Sequence, residues 1–103
     1  MAERIHADDF KEKVLQSEVP VLVEFYGDSC IPCKQLAPVL AEVEESLAGA
    51  IKVYKVNVNF DADLADQHKV MASPTLLLFK EGKKVGRKQG VLKKQELVEW
   101  VTA

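Results

Sequence analysis

The chain has only two cysteines, Cys30 and Cys33, and only two histidines, His6 and His68. Structural zinc normally takes four protein ligands, and neither histidine lies near the cysteines in sequence, so no metal site is expected. No cofactor is expected either. Excess charge is also missing: 16 acidic against 14 basic residues, interspersed, give a net charge of −2. That balance excludes the electrostatic footprint of nucleic-acid binding and of a strongly charged membrane partner. No apolar run approaches the length of a membrane span. The opening residues M-A-E-R-I-H hold no apolar core of the kind a signal peptide needs. Linkers, repeats and low-complexity segments are lacking as well. One domain over residues 1–103, in the cytoplasm, is the expectation.

What the chain does have is an ordinary globular composition, 48% hydrophobic and 29% charged. A domain of this length buries roughly two-thirds of its unfolded surface. In the cytosol a structural disulfide is unusual, and two cysteines three apart close too small a loop to staple a fold. Compartment and spacing both favour a reactive pair.

That pair sits in the stretch V-L-V-E-F-Y-G-D-S-C-I-P-C-K, residues 21–34. The apolar run 21–26 reads as a buried central strand, interrupted only by Glu24, and it ends at Gly27-Asp28. Behind Cys33, the residues Leu36, Leu40, Val43 and Leu47 recur at helical spacing. A strand therefore turns into a helix whose first turn carries both thiols. Unpaired N–H groups and the positive end of the helix dipole stabilise a thiolate there, and the thiolate is the nucleophile of disulfide exchange.

The remaining elements follow from the same signals. Asp8 or Asp9 caps a first helix, Asp9 with Glu12 matching a capping box, and Phe10, Val14 and Leu15 face inward. Pro38 falls inside the helix that follows the cysteines and should kink it. Residues 51–58, I-K-V-Y-K-V-N-V, read as a second inner strand. A helix from Ala62 to about Lys69 is capped by Asp61. Thr75 to Phe79 is a strand, Lys80-Glu81-Gly82-Lys83 a hairpin turn, and 84–89 a Lys/Arg-rich edge strand. A last helix over about 93–102 turns Leu97, Val98, Trp100 and Val101 partly inward. His68 is expected on a helix surface. The Lys83-Lys84 and Lys93-Lys94 pairs read as solvated surface. The result is an α/β fold, a central mixed β-sheet flanked by helices on both faces.

On these residues the chain resembles thioredoxin nearly end to end. The matching pieces are V-L-V-E-F-Y, C-I-P-C-K, V-Y-K-V-N-V, S-P-T-L-L-L-F-K-E-G and the closing G-V-L-K-K-Q-E-L. A lone C-x-x-C is weak evidence; followed some forty residues later by an x-Pro-Thr strand and a Gly hairpin it is strong. The resemblance implies the thioredoxin fold and a thiol–disulfide oxidoreductase that carries electrons to protein disulfides. It implies that Cys30 is the exposed attacking thiol and Cys33 the shielded resolving one, the two forming the redox-active disulfide. It further implies a cis-proline at Pro74, placing the Ser73 backbone to pair with a substrate segment. Glu24 matches the family's buried carboxylate, usually Asp, and Lys55 the lysine beside it. Ser29, Ile31, Pro32, Ala72, Ser73 and Pro74 then form the substrate-facing surface. Partners would be protein disulfides and a thioredoxin reductase, and the fold usually works as a monomer.

Glu24 is the candidate base for the Cys33 proton, directly or through a water, since burial raises a carboxyl pKa. The plain alternative is a buried carboxylate paired with Lys55. The departures from the family pattern concentrate at the site. Ser29 replaces the usual Trp, Ile31-Pro32 the usual Gly-Pro, Tyr26 the commoner Trp, and Ser73 the usual aliphatic residue. A flatter, more polar docking surface follows, and with it the expectation of a dedicated reductase. Two other readings compete: a binding or assembly subunit that grips a partner without exchange, and a glutathione-linked, glutaredoxin-like activity. Intact cysteines argue against the first, and C-I-P-C in place of C-P-Y-C against the second.

Overall fold

The computed structural model describes residues 2–103. Its centre is a five-stranded sheet in the order β1-β3-β2-β4-β5. The strands are β1 (Glu3–Arg4), β2 (Val21–Tyr26), β3 (Lys52–Asn57), β4 (Thr75–Lys80) and β5 (Lys83–Gln89). β2 pairs in parallel with β3 and antiparallel with β4, and β4 with β5 forms the antiparallel hairpin. The helices are α1 (Ile31–Ser46), α2 (Ala62–Gln67) and α3 (Lys94–Thr102). Among the described residues no helix is long and apolar enough to cross a membrane.

Period-two alternation divides the core into two layers. Val21, Val23 and Phe25 of β2 join Tyr54, Val56, Leu77 and Phe79 on one face, under Phe10, Val14 and Leu64. Leu22, Val53, Leu76 and Leu78 point to the other face, against Leu36, Leu40 and Val43 of α1 and Leu97 and Val101 of α3. Fully burying one such aliphatic side chain contributes roughly 1.5–3 kcal/mol, so these layers fix the sheet between its helices. The alternation also decides where the charges of the inner strands go. Glu24 follows Leu22 by two residues and Lys55 follows Val53 by two, so both belong to the face that α1 covers. They are direct partners in the β2–β3 register.

The expected hairpin is present, with Glu81 (φ 53°) and Gly82 (φ 77°) both left-handed, as a two-residue turn between right-twisted strands demands. Gly82 is also pressed against the backbone, where a Cβ would lie 2.5 Å from the Leu15 carbonyl oxygen.

Several expectations are corrected. The two-residue strand β1, which pairs in parallel with β3 at Tyr54 and Lys55, was not anticipated; both its residues are exposed and show no apolar alternation. The first helix is a 3₁₀ turn at Ala7–Asp9 followed by a π-helical segment, Lys11–Leu15. Its cap is His6, whose N–H donates to Asp9 Oδ2 at 3.0 Å, rather than Asp9 with Glu12. Leu15 of that segment is 40% exposed instead of inward-facing. Asp61 precedes α2 but its carboxylate makes no cap bond; it lies 3.0 Å from His6 Nδ1 and accepts from the Ala7 N–H at 3.2 Å. His68, at the end of α2, is only partly at the surface. It is half-buried among Phe10, Phe25 and Phe79, with ring centroids 5.1–6.0 Å away. As expected, α3 turns Leu97, Val98, Trp100 and Val101 inward, Leu97 and Val101 fully and Val98 and Trp100 by half.

Candidate active site

Cys30 is the N-cap of α1, in extended conformation, and Ile31 and Pro32 are the first helical residues. Proline fits here because its φ is pre-set for the first turn and the N–H it lacks has no intrahelical acceptor. Cys30 and Cys33 are joined as a disulfide, their Cα atoms 5.2 Å apart. The Cys33 N–H, one of the free donors of the first turn, donates to Cys30 Sγ at 3.1 Å. When the bond is reduced, that donor and the helix dipole favour negative charge on the Cys30 sulfur.

In the disulfide form the two residues are covered alike, Cys30 8% and Cys33 6% exposed; the contrast expected between the thiols belongs to the reduced pair. Ile31, between them, is 68% exposed.

A cavity of about 220 Å³ lies beneath the pair, lined by Cys30, Cys33, Glu24, Lys55 and Ala37 among others. Glu24 is only 4% exposed, and its Oε2 has no hydrogen-bond partner. Burial pushes its carboxyl up to about 7, against the smaller downward pull of the Lys55 charge. Lys55 itself is turned toward Tyr26, its Nζ 5.4 Å from the ring centroid. Among the described residues no ion pair joins Glu24 to Lys55, so the plain pairing alternative lacks its contact. The sheet register has put an unpartnered carboxyl, its pKa raised by burial, on the cavity that both cysteines line.

On the solvent side a cleft of about 490 Å³ is bounded by Ser29, Cys30, Ile31, Pro32, Asn59 and Ser73 among others. The Ser73–Pro74 peptide is cis, and Pro74 is buried while Ala72 is exposed. The Ala72 carbonyl accepts from Thr75 Oγ1 at 2.6 Å, and the Pro74 carbonyl from the Gly90 N–H at 3.1 Å. Of the expected substrate-facing residues, Ser29, Ile31, Pro32 and Ser73 meet at this cleft with Cys30, whereas Ala72 and Pro74 do not line it. Neither histidine takes part; His6 is held by Asp61 and His68 by the aromatic cluster.

Three residues at the site were missed in the sequence. Asp28, Asn57 and Asn59 form a closed hydrogen-bond circuit beside Cys30. The Asp28 N–H donates to Asn59 Oδ1 (2.9 Å), the Asn59 N–H to Asn57 Oδ1 (2.8 Å), and Asn57 Nδ2 to Asp28 Oδ1 (2.7 Å). The signal available was N-V-N at a strand end, where asparagine caps its own turn.

A disulfide at a helix N-terminus, over a buried carboxyl and next to an x-Pro turn, defines a thiol–disulfide oxidoreductase. The family model described as Thioredoxin matches residues 2–103. Thioredoxin of Rickettsia felis is 36% identical over 101 residues, covering 98% of this chain and 96% of that protein. Thioredoxin 1 of a Nostoc species is 41% identical over 96 residues, covering 93% and 90%. Thioredoxin of a Synechocystis species is 41% identical over 88 residues, covering 85% and 82%. The chain belongs to the thioredoxin family.

Proposed function

We propose that this protein is a single-domain, monomeric, cytoplasmic dithiol carrier that reduces protein disulfides through Cys30 and Cys33. The observation that carries the assignment of the attacking sulfur is the Cys33 N–H aimed at Cys30 Sγ at the start of α1. Cys30, as thiolate, attacks one sulfur of a substrate disulfide. A Cys30–substrate bond forms, the substrate S–S bond breaks, and the second substrate sulfur leaves as thiolate and takes up a proton. Cys33 then attacks Cys30 Sγ, closing the internal disulfide and expelling the remaining substrate sulfur as a second thiolate, which is protonated in turn. Two electrons have passed to the substrate.

Cys33 must lose its proton in the second step. Glu24 is the base, across the cavity or through one water, because a carboxyl poised at about 7 accepts a proton and returns it near neutral pH. The charge of Lys55 opposes the effect of burial and keeps Glu24 from rising further. Ser29, Ile31, Pro32 and Ser73 form the substrate-facing surface at the cleft, with Ala72 exposed beside Ser73 and Pro74 buried behind it. A thioredoxin reductase returns the electrons. The small, polar Ser29 rim supports a reductase dedicated to this surface rather than a standard one. Family membership favours neither a pure binding subunit nor a glutathione-linked activity.

The test is insulin-disulfide reduction with dithiothreitol as donor. Wild type should accelerate it and both Cys30→Ser and Cys33→Ser should lose turnover, with Cys33→Ser trapping substrate on Cys30. Equal rates for wild type and both variants would sink the carrier reading.

A further inference from the structure

The conformation of Cys30 is not set by α1. As N-cap it has φ −100° and ψ 104°, outside the helical region, so the position of its sulfur depends on the loop 27–30 that delivers it. Asp28 and Ser29 of that loop are exposed, and packing alone does not hold them. The hydrogen-bond circuit does. Asn57, 5% exposed, is fully engaged: its Oδ1 accepts from both the Asn59 and Phe60 N–H groups, and its Nδ2 donates to Asp28. This fixes the backbone of Asn59, whose Oδ1 is thereby aimed at the Asp28 N–H, two residues before Cys30. Gly27 is confined from the same side: a Cβ there would lie 3.3 Å from Ser73 Oγ and 3.5 Å from Asn59 Oδ1. The loop thus runs against two polar side chains that border the cleft in front of the sulfur.

We propose that Asn59 is a positioning residue for Cys30: its side-chain carbonyl, carried on a backbone that Asn57 fixes, holds the loop so that the sulfur stays over the first turn of α1. The proposal rests on Cys30 being the attacking thiol. With the acceptor gone, Asp28 N–H turns to water, the loop loosens, and the sulfur spends less time against the Cys33 N–H. One neutral hydrogen bond corresponds to about a fivefold change in an equilibrium. The reduced Cys30 should therefore be alkylated about fivefold more slowly at neutral pH, with its pH midpoint raised by about 0.7, the same factor on a pH scale.

The experiment measures iodoacetamide alkylation of the reduced protein against pH, and kcat and KM for disulfide reduction, in wild type, Asn59→Ala and Asn59→Asp. Half-molar salt screens the added carboxylate of the last variant. Asn59→Ala should show the raised midpoint and a fall in kcat with KM little changed; Asn59→Asp, which keeps an acceptor oxygen, should recover both. A wild-type midpoint and kcat in Asn59→Ala, or a loss that Asn59→Asp does not recover, overturns the proposal. Amide exchange at Asp28 in the oxidised wild type gives a second test that does not depend on a variant folding: slow exchange is expected, and exchange at the rate of an open loop overturns the proposal. Peptide mapping of the alkylated wild type separates the two readings. Label on Cys33 overturns the Cys30 assignment and this proposal together, whereas label on Cys30 with an insensitive Asn59→Ala overturns this proposal alone.

Discussion

Replacing Glu24 by Gln keeps the shape of a buried side chain and removes its titration. The folded protein holds this carboxyl at about 7, against an ordinary value of 4.5, chiefly because burial penalises the charge. Below about pH 4.5 the folded and unfolded chains both carry the proton, and Glu24 adds no charge penalty. Between 4.5 and 7 the unfolded chain releases a proton that the folded chain keeps, so stability falls as pH rises. Above 7 the full penalty is present. At about 1.4 kcal/mol per pH unit, the gap between the two values amounts to about 3 kcal/mol, a large part of the stability of a small domain. The buried amide of Gln has its own cost, but that cost does not vary with pH, so the comparison lies in the slopes. Urea unfolding of the oxidised forms from pH 5 to pH 8 should show wild type losing about 2–3 kcal/mol relative to Glu24→Gln. Curves that run parallel over that range would refute the argument, because Glu24 would then not titrate between them. The same variant tests the chemistry: if Glu24 takes the Cys33 proton, release of substrate from the mixed disulfide should slow and lose its pH dependence near neutrality.

Gly86, opposite Leu78 beside the bulge in the β4–β5 hairpin, would place a Cβ 3.0 Å from Cζ2 and Nε1 of Trp100. Gly86→Ala should cost about 1–3 kcal/mol as overpacking, read from the denaturation midpoint; an unchanged midpoint would show that the indole moves aside freely. For His68, burial among aromatic rings, followed by the charges of Lys84 and Arg87, lowers the pKa. The folded state therefore favours the neutral ring, and its contribution is present above pH 6.5 and lost as pH falls through the lowered folded value. Wild type should lose stability faster than His68→Gln between pH 7 and pH 5, and equal losses would place the ring in water.

The parts of the fold legible in the sequence are those where one strong local pattern governs: the run 21–26, the helical spacing behind Cys33, the Thr75 strand and the Gly82 turn. Glu24 was legible for the same reason, as one acid in an otherwise apolar strand. What was missed depends on contacts between distant segments. β1 exists because β3 offers it an edge, and its two exposed residues carry no pattern of their own. Asp61 was read as a local cap, yet its carboxylate reaches across 55 positions to His6. His68 reads as polar surface until Phe10, Phe25 and Phe79 arrive from three other segments. The Asp28–Asn57–Asn59 circuit spans 29 to 31 positions in the same way, and the near-equal burial of the two cysteine residues depends on packing around a disulfide that the bare motif does not specify.

The exposure pattern of the motif, with Ile31 outermost and both cysteines nearly covered, bears on which electron donors the oxidised protein accepts. A small thiol colliding at random strikes the isoleucine far more often than sulfur. A macromolecule that seats itself on Ile31 and the cleft beside it is brought, by that act, to the side of Cys30 that lines the cleft. Traffic through the disulfide is then governed by who can dock, so that two donors of equal reducing power are served at very different rates.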